Sequence, residues 1–356
     1  MSDKRIILTG GGSAGHVTPN LALVPYLKEA GFEIEYIGSY NYIESRLVPN
    51  AGIPYHGIAT GMLRRYLTLK NLTDPFKVFK GIDEARKIIK DFKPNIVFSK
   101  GGYVGVPVAY AANLEKIPVI LHESDMSPGL ANKLCLPIAK KICCNFPETV
   151  KDLPKDKAVL TGSPIRDELL KGNAALGKEM CGFKDTKPII MVIGGSLGAS
   201  SVNKALRDAL PTLLNDFNVV HICGKGKLDE NIINKQGYKQ FEYIEKGLNN
   251  IFAMADLVIS RAGANSICEI LTLKKPNLLI PLPTKASRGD QLLNASSFEA
   301  QGYSMVLRDE DCNAQTLSEK IMELYFLRQT YIDAMGTSSQ TDTIKTIISL
   351  IQHYAI

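Results

Sequence analysis

The sequence predicts an α/β protein of two Rossmann-like domains facing across a cleft. Three observations carry this. Short apolar runs alternate with longer amphipathic stretches along the chain, the pattern of parallel strands joined by helices. At 356 residues the chain can hold two such domains. Its halves also resemble each other. The strand leading into Gly10-Gly11-Gly12-Ser13 recurs as 189–193 followed by Gly194-Gly195-Ser196-Leu197-Gly198, and Ser99-Lys100-Gly101-Gly102 recurs loosely as Ser260-Arg261-Ala262-Gly263.

Strands are expected at 6–9, 34–38, 96–98, 118–121, 141–144 and 158–160, then at 189–193, 218–222, 241–244, 257–260, 277–280 and 304–307. Helices are expected between most of them, among them 75–92, 202–214 and 317–333. Gly162-Ser163-Pro164 and the polar stretch 171–187 mark the joint, so the domains are read as 1–162 and 163–340. The last helix, 341–356, is a candidate to pack back on the first domain. Ligands of such sheets sit beyond the carboxyl ends of the strands, so the glycine loops would all face the cleft.

The first of these loops is Gly10-Gly11-Gly12-Ser13-Ala14-Gly15-His16. A strand, a glycine turn and a helix start together offer free amides and a positive dipole end to an anion. His16 stands in reach of whatever binds there. Gly10-x-Gly12-x-x-Gly15 also fits a dinucleotide fingerprint, which needs an acid at the end of the next strand. Glu35 lies mid-strand between apolar residues, so a dinucleotide cofactor is not expected. A tight strand–helix turn without a ligand is the bland alternative.

The composition excludes several classes. Hydrophobic residues make up 45%, enough for full cores, but no uncharged apolar run reaches the roughly 18 residues of a membrane-spanning helix. The chain enters Lys4-Arg5 and a strand directly, which predicts no export leader. The net charge of +6 is mild, and no basic run is interleaved with aromatics, so nucleic acid is not an expected partner. An anionic small molecule or an anionic membrane face suits that charge as well. The seven cysteines show no C-x-x-C spacing and are read as free thiols, with no metal cluster.

One helix has an unusual outer face. Asp74-Pro75 is a good helix start, and Val78, Ile82, Ala85, Ile89 and Phe92 form its core stripe at about 100° per residue. Phe76 falls opposite that stripe and Phe79 on its flank. With Arg64 and Arg65 upstream, 62–80 holds five basic residues and one acid. Apolar side chains ringed by basic ones suit an anionic membrane surface; a solvated basic face is the other reading.

Taken in order, Gly10–His16, Lys100-Gly101-Gly102-Tyr103-Val104, His122-Glu123 with Asn132-Lys133, Gly194-Gly195-Ser196-Leu197-Gly198-Ala199, Arg261-Ala262-Gly263-Ala264 with Glu269, and Gly289-Asp290-Gln291 with Asn294-Ala295 form a specific set. The set resembles the MurG family of membrane-associated N-acetylglucosaminyltransferases of peptidoglycan synthesis, nearly end to end. The resemblance implies the GT-B fold and transfer of GlcNAc from UDP-GlcNAc to the C4 hydroxyl of the muramoyl unit of lipid I, giving lipid II with inversion. It implies a peripheral place on the cytoplasmic membrane face through the Phe76 patch, possible cell-wall synthesis partners, and no obligatory metal or other cofactor.

The resemblance also distributes roles. Ser196 would contact the UDP diphosphate and Arg166 the nucleotide. Ile244 would contact uracil, Glu269 the ribose, and Gln291 the sugar hydroxyls. Ala264, Asn265 and Ser266, and on the other side Ser13, Ala14 and Gly15, would complete the donor site. Gly101, Gly102, Tyr103 and Lys100 would meet the acceptor diphosphate. The residues themselves leave plainer readings open: a capping box for Ser266 and Glu269, a surface ion pair for Arg166, and a solvated strand-end position for Lys100. Ser124-Asp125 departs from the Gln-Asn of some members, whose asparagine touches the donor sugar; an ionised aspartate accepts but does not donate, so the role of Asp125 stays open. Asp309-Glu310-Asp311 looks like a metal-holding D-x-D but is read as a solvated turn. His16 is the proposed general base, with Glu123 as the other candidate. The rival functions are another lipid glycosyltransferase, such as one acting on diacylglycerol, a UDP-sugar epimerase, and a non-catalytic nucleotide-binding scaffold.

Overall fold

A computed structural model describes residues 4–61, 74–194, 199–233, 235–284, 289–338 and 342–356. The chain divides into two compact units. Unit 1 is Met1–Arg166 together with Asp342–Ile356, and unit 2 is Asp167–Thr341.

Unit 1 is built on a seven-stranded parallel sheet of order β3-β2-β1-β4-β5-β6-β7. The strands are β1 (Lys4–Thr9), β2 (Phe32–Ser39), β3 (Tyr55–Ile58), β4 (Ile96–Ser99), β5 (Val119–Glu123), β6 (Lys141–Cys144) and β7 (Ala158–Leu160). Ile6, Ile7 and Leu8 of β1 and Ile96, Val97 and Phe98 of β4 are fully buried. Both faces are covered, which is why these strands read as unbroken apolar runs rather than alternating ones. The order reverses between β1 and β4, so the loops after these two strands flank the sheet's topological switch point. The edge strand β3 was not expected. Tyr55, His56 and Gly57 are only half-buried there, so its sequence lacks the apolar run that marked the central strands.

Unit 2 repeats the plan with six parallel strands of order β10-β9-β8-β11-β12-β13. They are β8 (Ile189–Ile193), β9 (Asn218–Ile222), β10 (Tyr238–Phe241), β11 (Leu257–Ser260), β12 (Asn277–Leu279) and β13 (Met305–Val306). Its switch point lies between β8 and β11, beyond Ile193 and Ser260. The strand expected at 241–244 lies three residues earlier. Gln240 is buried in β10 because it has partners: it donates to the Asp229 carbonyl at 2.6 Å and accepts from the Asp229 amide at 3.1 Å. A buried but satisfied glutamine hides a strand from an apolar pattern.

The helices that position the loops are α1 (Ala14–Glu29), α2 (Glu44–Asn50), α3 (Asp74–Phe92), α4 (Gly105–Leu114) and α5 (Leu130–Cys135) in unit 1. In α3, Ala85, Ile89 and Phe92 are buried in the core, as the stripe predicted, while Phe76 is 76% and Phe79 70% exposed. No helix among the described residues is long and apolar enough to cross a membrane.

The last helix of the chain (Thr343–Tyr354) belongs to unit 1. Its Ile347 and Ile351 are fully buried in the cluster of Ile6, Leu8, Leu27 and Phe98. Thr343 Oγ1 donates to the Thr161 carbonyl at 2.6 Å, and the Ile356 amide reaches the Asn95 carbonyl. Ile351→Ala is expected to destabilise unit 1 by about 2–5 kcal/mol, the usual cost of a buried Ile-to-Ala truncation. Calorimetry would show this as a lower melting temperature; an unmoved transition would mean that the helix contributes nothing to that core.

Candidate active site

In unit 1 the chain leaves β1 into the 10–13 turn and enters α1 at Ala14. Hydrogen bonds from three directions fix this turn. Tyr36 Oη donates to the Gly10 carbonyl at 2.6 Å, and Asn20 Nδ2 to the Thr9 carbonyl at 3.0 Å. From α2, the fully buried Glu44 accepts from the Gly12 amide at 3.1 Å through one oxygen and from the Ser39 amide at 3.2 Å through the other. The loop after β4 closes in from the far side. Gly102 has φ +80°, and a Cβ there would stand 2.4 Å from the Gly11 carbonyl oxygen. Only glycine fits on both counts. The Tyr103 ring edge lies beside Gly12.

His16 sits in the first turn of α1 and is partly exposed. Its Nδ1 lies 2.9 Å from the Gly11 carbonyl oxygen and 3.2 Å from Ser13 Oγ. A carbonyl only accepts, so Nδ1 carries the proton and Nε2 is left with the lone pair. Burial, and after it the positive charge of Lys100, hold the His16 pKa below the ordinary imidazole range; the Gly11 carbonyl, Asp125 and Glu44 act in the opposite sense. The ring is therefore a neutral base near pH 7.

Two expected site residues take other places. Lys100 is neither solvated nor at the surface: it is 1% exposed. Its Nζ donates to His122 Nδ1 at 2.7 Å and to Ser124 Oγ, while His122 Nε2–H donates to the Gly162 carbonyl at 2.9 Å. The tautomer is thereby consistent around the chain of bonds. Burial and the Lys100 charge push the His122 pKa well down. Lys100 thus ties the end of β4 to β5 beneath the site. Glu123, the alternative base, is buried with both oxygens occupied: one takes the Asp125 amide at 3.1 Å, the other the Gly129 amide and Asn132 Nδ2, each at 2.9 Å. It anchors the 124–129 loop, and burial raises its pKa against these hydrogen bonds. Asp125 is held by that anchor.

In unit 2 the loop after β11 is the better described half. Arg261 is buried; its Nη1 bonds Asp309 Oδ1 at 2.6 Å and the Ile280 carbonyl at 2.9 Å, and Nη2 bonds Ser201 Oγ at 2.9 Å. Ser201 Oγ also donates to Asp309 Oδ1 at 2.7 Å. Asp309 therefore is not part of a solvated turn: it locks the start of α9 (Ser200–Leu213) to the end of β11. Helix α11 (Ala264–Thr272) begins at Gly263, one turn earlier than a Ser266 cap would require. Ser266 and Glu269 are consequently inside the helix and form no capping box. Asn265 and Glu269 are four residues apart, on one helix face and partly exposed, and Ala264 and Ser266 lie in the first turn of α11, the kind of helix end whose amides suit an anion. Gln291, at the start of α12 (Asp290–Ala300), accepts from the Leu282 amide at 3.1 Å. Asn294 Nδ2 donates to the Ala262 carbonyl at 3.2 Å, joining α12 to the same loop. Ile244 is buried in the turn after β10, and Arg166 is exposed at the end of unit 1. Ser196, Arg64 and Arg65 lie outside the described residues.

Two half-sites, one on each switch point, are what a two-domain sugar-transfer enzyme needs. Residues 6–144 match the glycosyltransferase family 28 N-terminal domain and 189–351 its C-terminal domain. The chain belongs to glycosyltransferase family 28. It is 60% identical over 349 residues to the UDP-N-acetylglucosamine–N-acetylmuramyl-(pentapeptide) pyrophosphoryl-undecaprenol N-acetylglucosamine transferase of Lachnospira eligens, covering 98% of this chain and 99% of that one. It is 59% identical over 355 residues to the enzyme of the same name from Clostridium novyi, covering 99% of each. The crystal structure of MurG from Acinetobacter baumannii superposes with a TM-score of 0.79 at 26% identity, over 98% of this chain and 99% of that one. A UDP-GlcNAc 2-epimerase from Neisseria meningitidis, bound to UDP-GlcNAc, shares the fold at 13% identity and a TM-score of 0.67, over 98% and 100% of the two chains. The expected family and two-sheet fold are borne out.

Sequence reasoning missed Glu44. The search for an acid after the second strand stopped at its end, Ser39; the carboxylate that serves the glycine turn comes five residues later, on α2. Gly102→Ala should push the 101–103 loop off Gly11 and cost on the order of 10²-fold in kcat, the scale of a misplacement of about 1 Å. Steady-state transfer assays on the folded variant would measure it, and near-normal kcat would show that the two loops need not touch.

Proposed function

We propose that the enzyme moves N-acetylglucosamine from UDP-N-acetylglucosamine to the C4 hydroxyl of the muramoyl unit of lipid I, forming lipid II with inversion. The observation that carries this reading is His16: a neutral imidazole whose Nδ1–H is spent on the Gly11 carbonyl, leaving Nε2 to take a proton. The near full-length identity to transferases whose names state this donor and acceptor supports the choice of substrates.

The reaction on this reading is a single displacement. His16 Nε2 takes the proton of the C4 hydroxyl, the oxygen attacks the anomeric carbon, and the bond to the UDP oxygen breaks. Unit 2 holds the donor. Glu269 takes the ribose, Ile244 the uracil, and Gln291 the sugar hydroxyls, with Asn265 and the start of α11 beside them. The charge of the leaving UDP is met by helix N-termini, Ser196 and Arg166, so no metal ion is required. Unit 1 holds the acceptor, with the 101–103 loop toward its diphosphate and the 13–15 segment lining the donor sugar. Phe76 and Phe79, with Lys77 and Lys80 beside them, rest on an anionic cytoplasmic membrane face.

Turnover of UDP-N-acetylglucosamine with a lipid I analogue tests the reading, with other UDP-sugars as controls. His16→Ala is expected to lower kcat by on the order of 10² or more, the range for a lost acid–base group. In the wild type, kcat/KM should be flat near pH 7 and fall as pH drops, because the ring is lost as a base on protonation. The midpoint should lie below the ordinary imidazole value of about 6.5, and that acid limb should vanish in His16→Ala. A variant with normal turnover would remove His16 from the chemistry. For the membrane face, Phe76→Asp with Phe79→Asp should weaken partitioning onto vesicles containing anionic phospholipid; unchanged partitioning would sink that part.

A further inference from the structure

The turn between β1 and α1 has the form of an anion cradle, yet one of its amides is already taken. Glu44 is fully buried, and its carboxylate bridges the Gly12 amide at 3.1 Å and the Ser39 amide at 3.2 Å. It also fills the space in front of the turn. A Cβ on Gly11 would stand 2.3 Å from one of its oxygens, and a Cβ on Gly38 2.8 Å from its Cγ. Gly11 in the turn and Gly38 in β2 thus leave room for the carboxylate. A buried carboxylate is retained only where hydrogen bonds replace its water, and here they come from the backbone of the turn and of the end of β2.

We propose that Glu44 is a built-in anion, a positioning residue that occupies the anion position of the 10–13 turn, holds the Gly11 carbonyl where it fixes His16, and keeps substrate phosphate out of this turn. The consequence for specificity is direct. The Gly12 amide is closed to diphosphate by a group of the protein itself. This inference rests on the reading of His16 as the base for its effect on turnover, but not for its effect on anion binding.

The test uses the full chain. Glu44→Ala vacates the position and is expected to lower kcat by about tenfold or more through misplacement of His16, with KM for UDP-N-acetylglucosamine little changed. Formate, which refits a carboxylate into the vacated space, should restore much of the loss at tens of millimolar and do nothing for the wild type. Independently of activity, the Gly12 amide signal of glycine-labelled protein should move on adding inorganic pyrophosphate to Glu44→Ala and stay fixed in the wild type. Where the alanine variant does not fold, Glu44→Gln keeps the volume but offers one acceptor to two amides, so the Gly12 signal must shift and kcat fall. Unchanged kcat in a folded variant, or a loss that formate does not relieve with a Gly12 signal indifferent to both anions, overturns the proposal. If the wild type itself transfers no sugar, the functional reading fails, and the amide signal alone decides the role of Glu44.

Discussion

The contact between Gly102 and Gly11 is the constraint on which the unit 1 half-site depends. The Gly102 backbone can come this close to Gly11 only because Gly102 has no side chain. The contact sits at the reversal of strand order, where loops from β1 and β4 emerge side by side because no other strand lies between them. Everything nearby is arranged around that closeness. Glu44 braces the turn from the α2 side, Tyr36 and Asn20 from beneath, and Lys100 underlies it from β4. The Gly11 carbonyl, held in this way, sets the His16 tautomer. The His16 ring is thus oriented by a chain of contacts that begins in sheet topology.

Unit 2 reaches a comparable result with charge. Arg261 and Asp309 form a nearly buried ion pair that also captures Ser201. Such a pair costs desolvation, and its net contribution to stability is small. Its geometric effect is larger, since it bolts the first turn of α9 to the loop after β11. Asn294 and Gln291 tie α12 into the same place through backbone groups. The two units therefore solve one problem, holding loops at a switch point, by steric closeness in one case and by side-chain hydrogen bonds in the other.

Much of this was legible in the sequence, and the reasons are local. Buried parallel strands are unbroken apolar runs, so β1, β4, β5, β8 and β11 declared themselves. Glycine turns and the first turn of α1 placed His16, and helical periodicity put Phe76 and Phe79 outside. What stayed hidden were charges whose partners are far away in sequence. Lys100 reads as a solvated strand end, because nothing local says that His122 will accept a hydrogen bond from it. Asp309 reads as a surface turn until Arg261, 48 residues earlier, meets it. Ser266 with Glu269 satisfies a capping pattern, but Gly263 had already started the helix. Glu123 stood as the other candidate base; two of its donors come from the 124–129 loop and the third, Asn132, from α5, none of which the local sequence around His122-Glu123 announces.

The return of residues 343–354 to unit 1 has a consequence for how the chain is made. The pocket that Ile347 and Ile351 fill is lined by residues from positions 6 to 143, and it cannot close until residues 343–354 have been translated. Unit 2 is a continuous segment and can fold as it emerges. The unit synthesised first is thus completed after unit 2, and the half that carries His16 acquires its finished core only once residues 343–354 have been made.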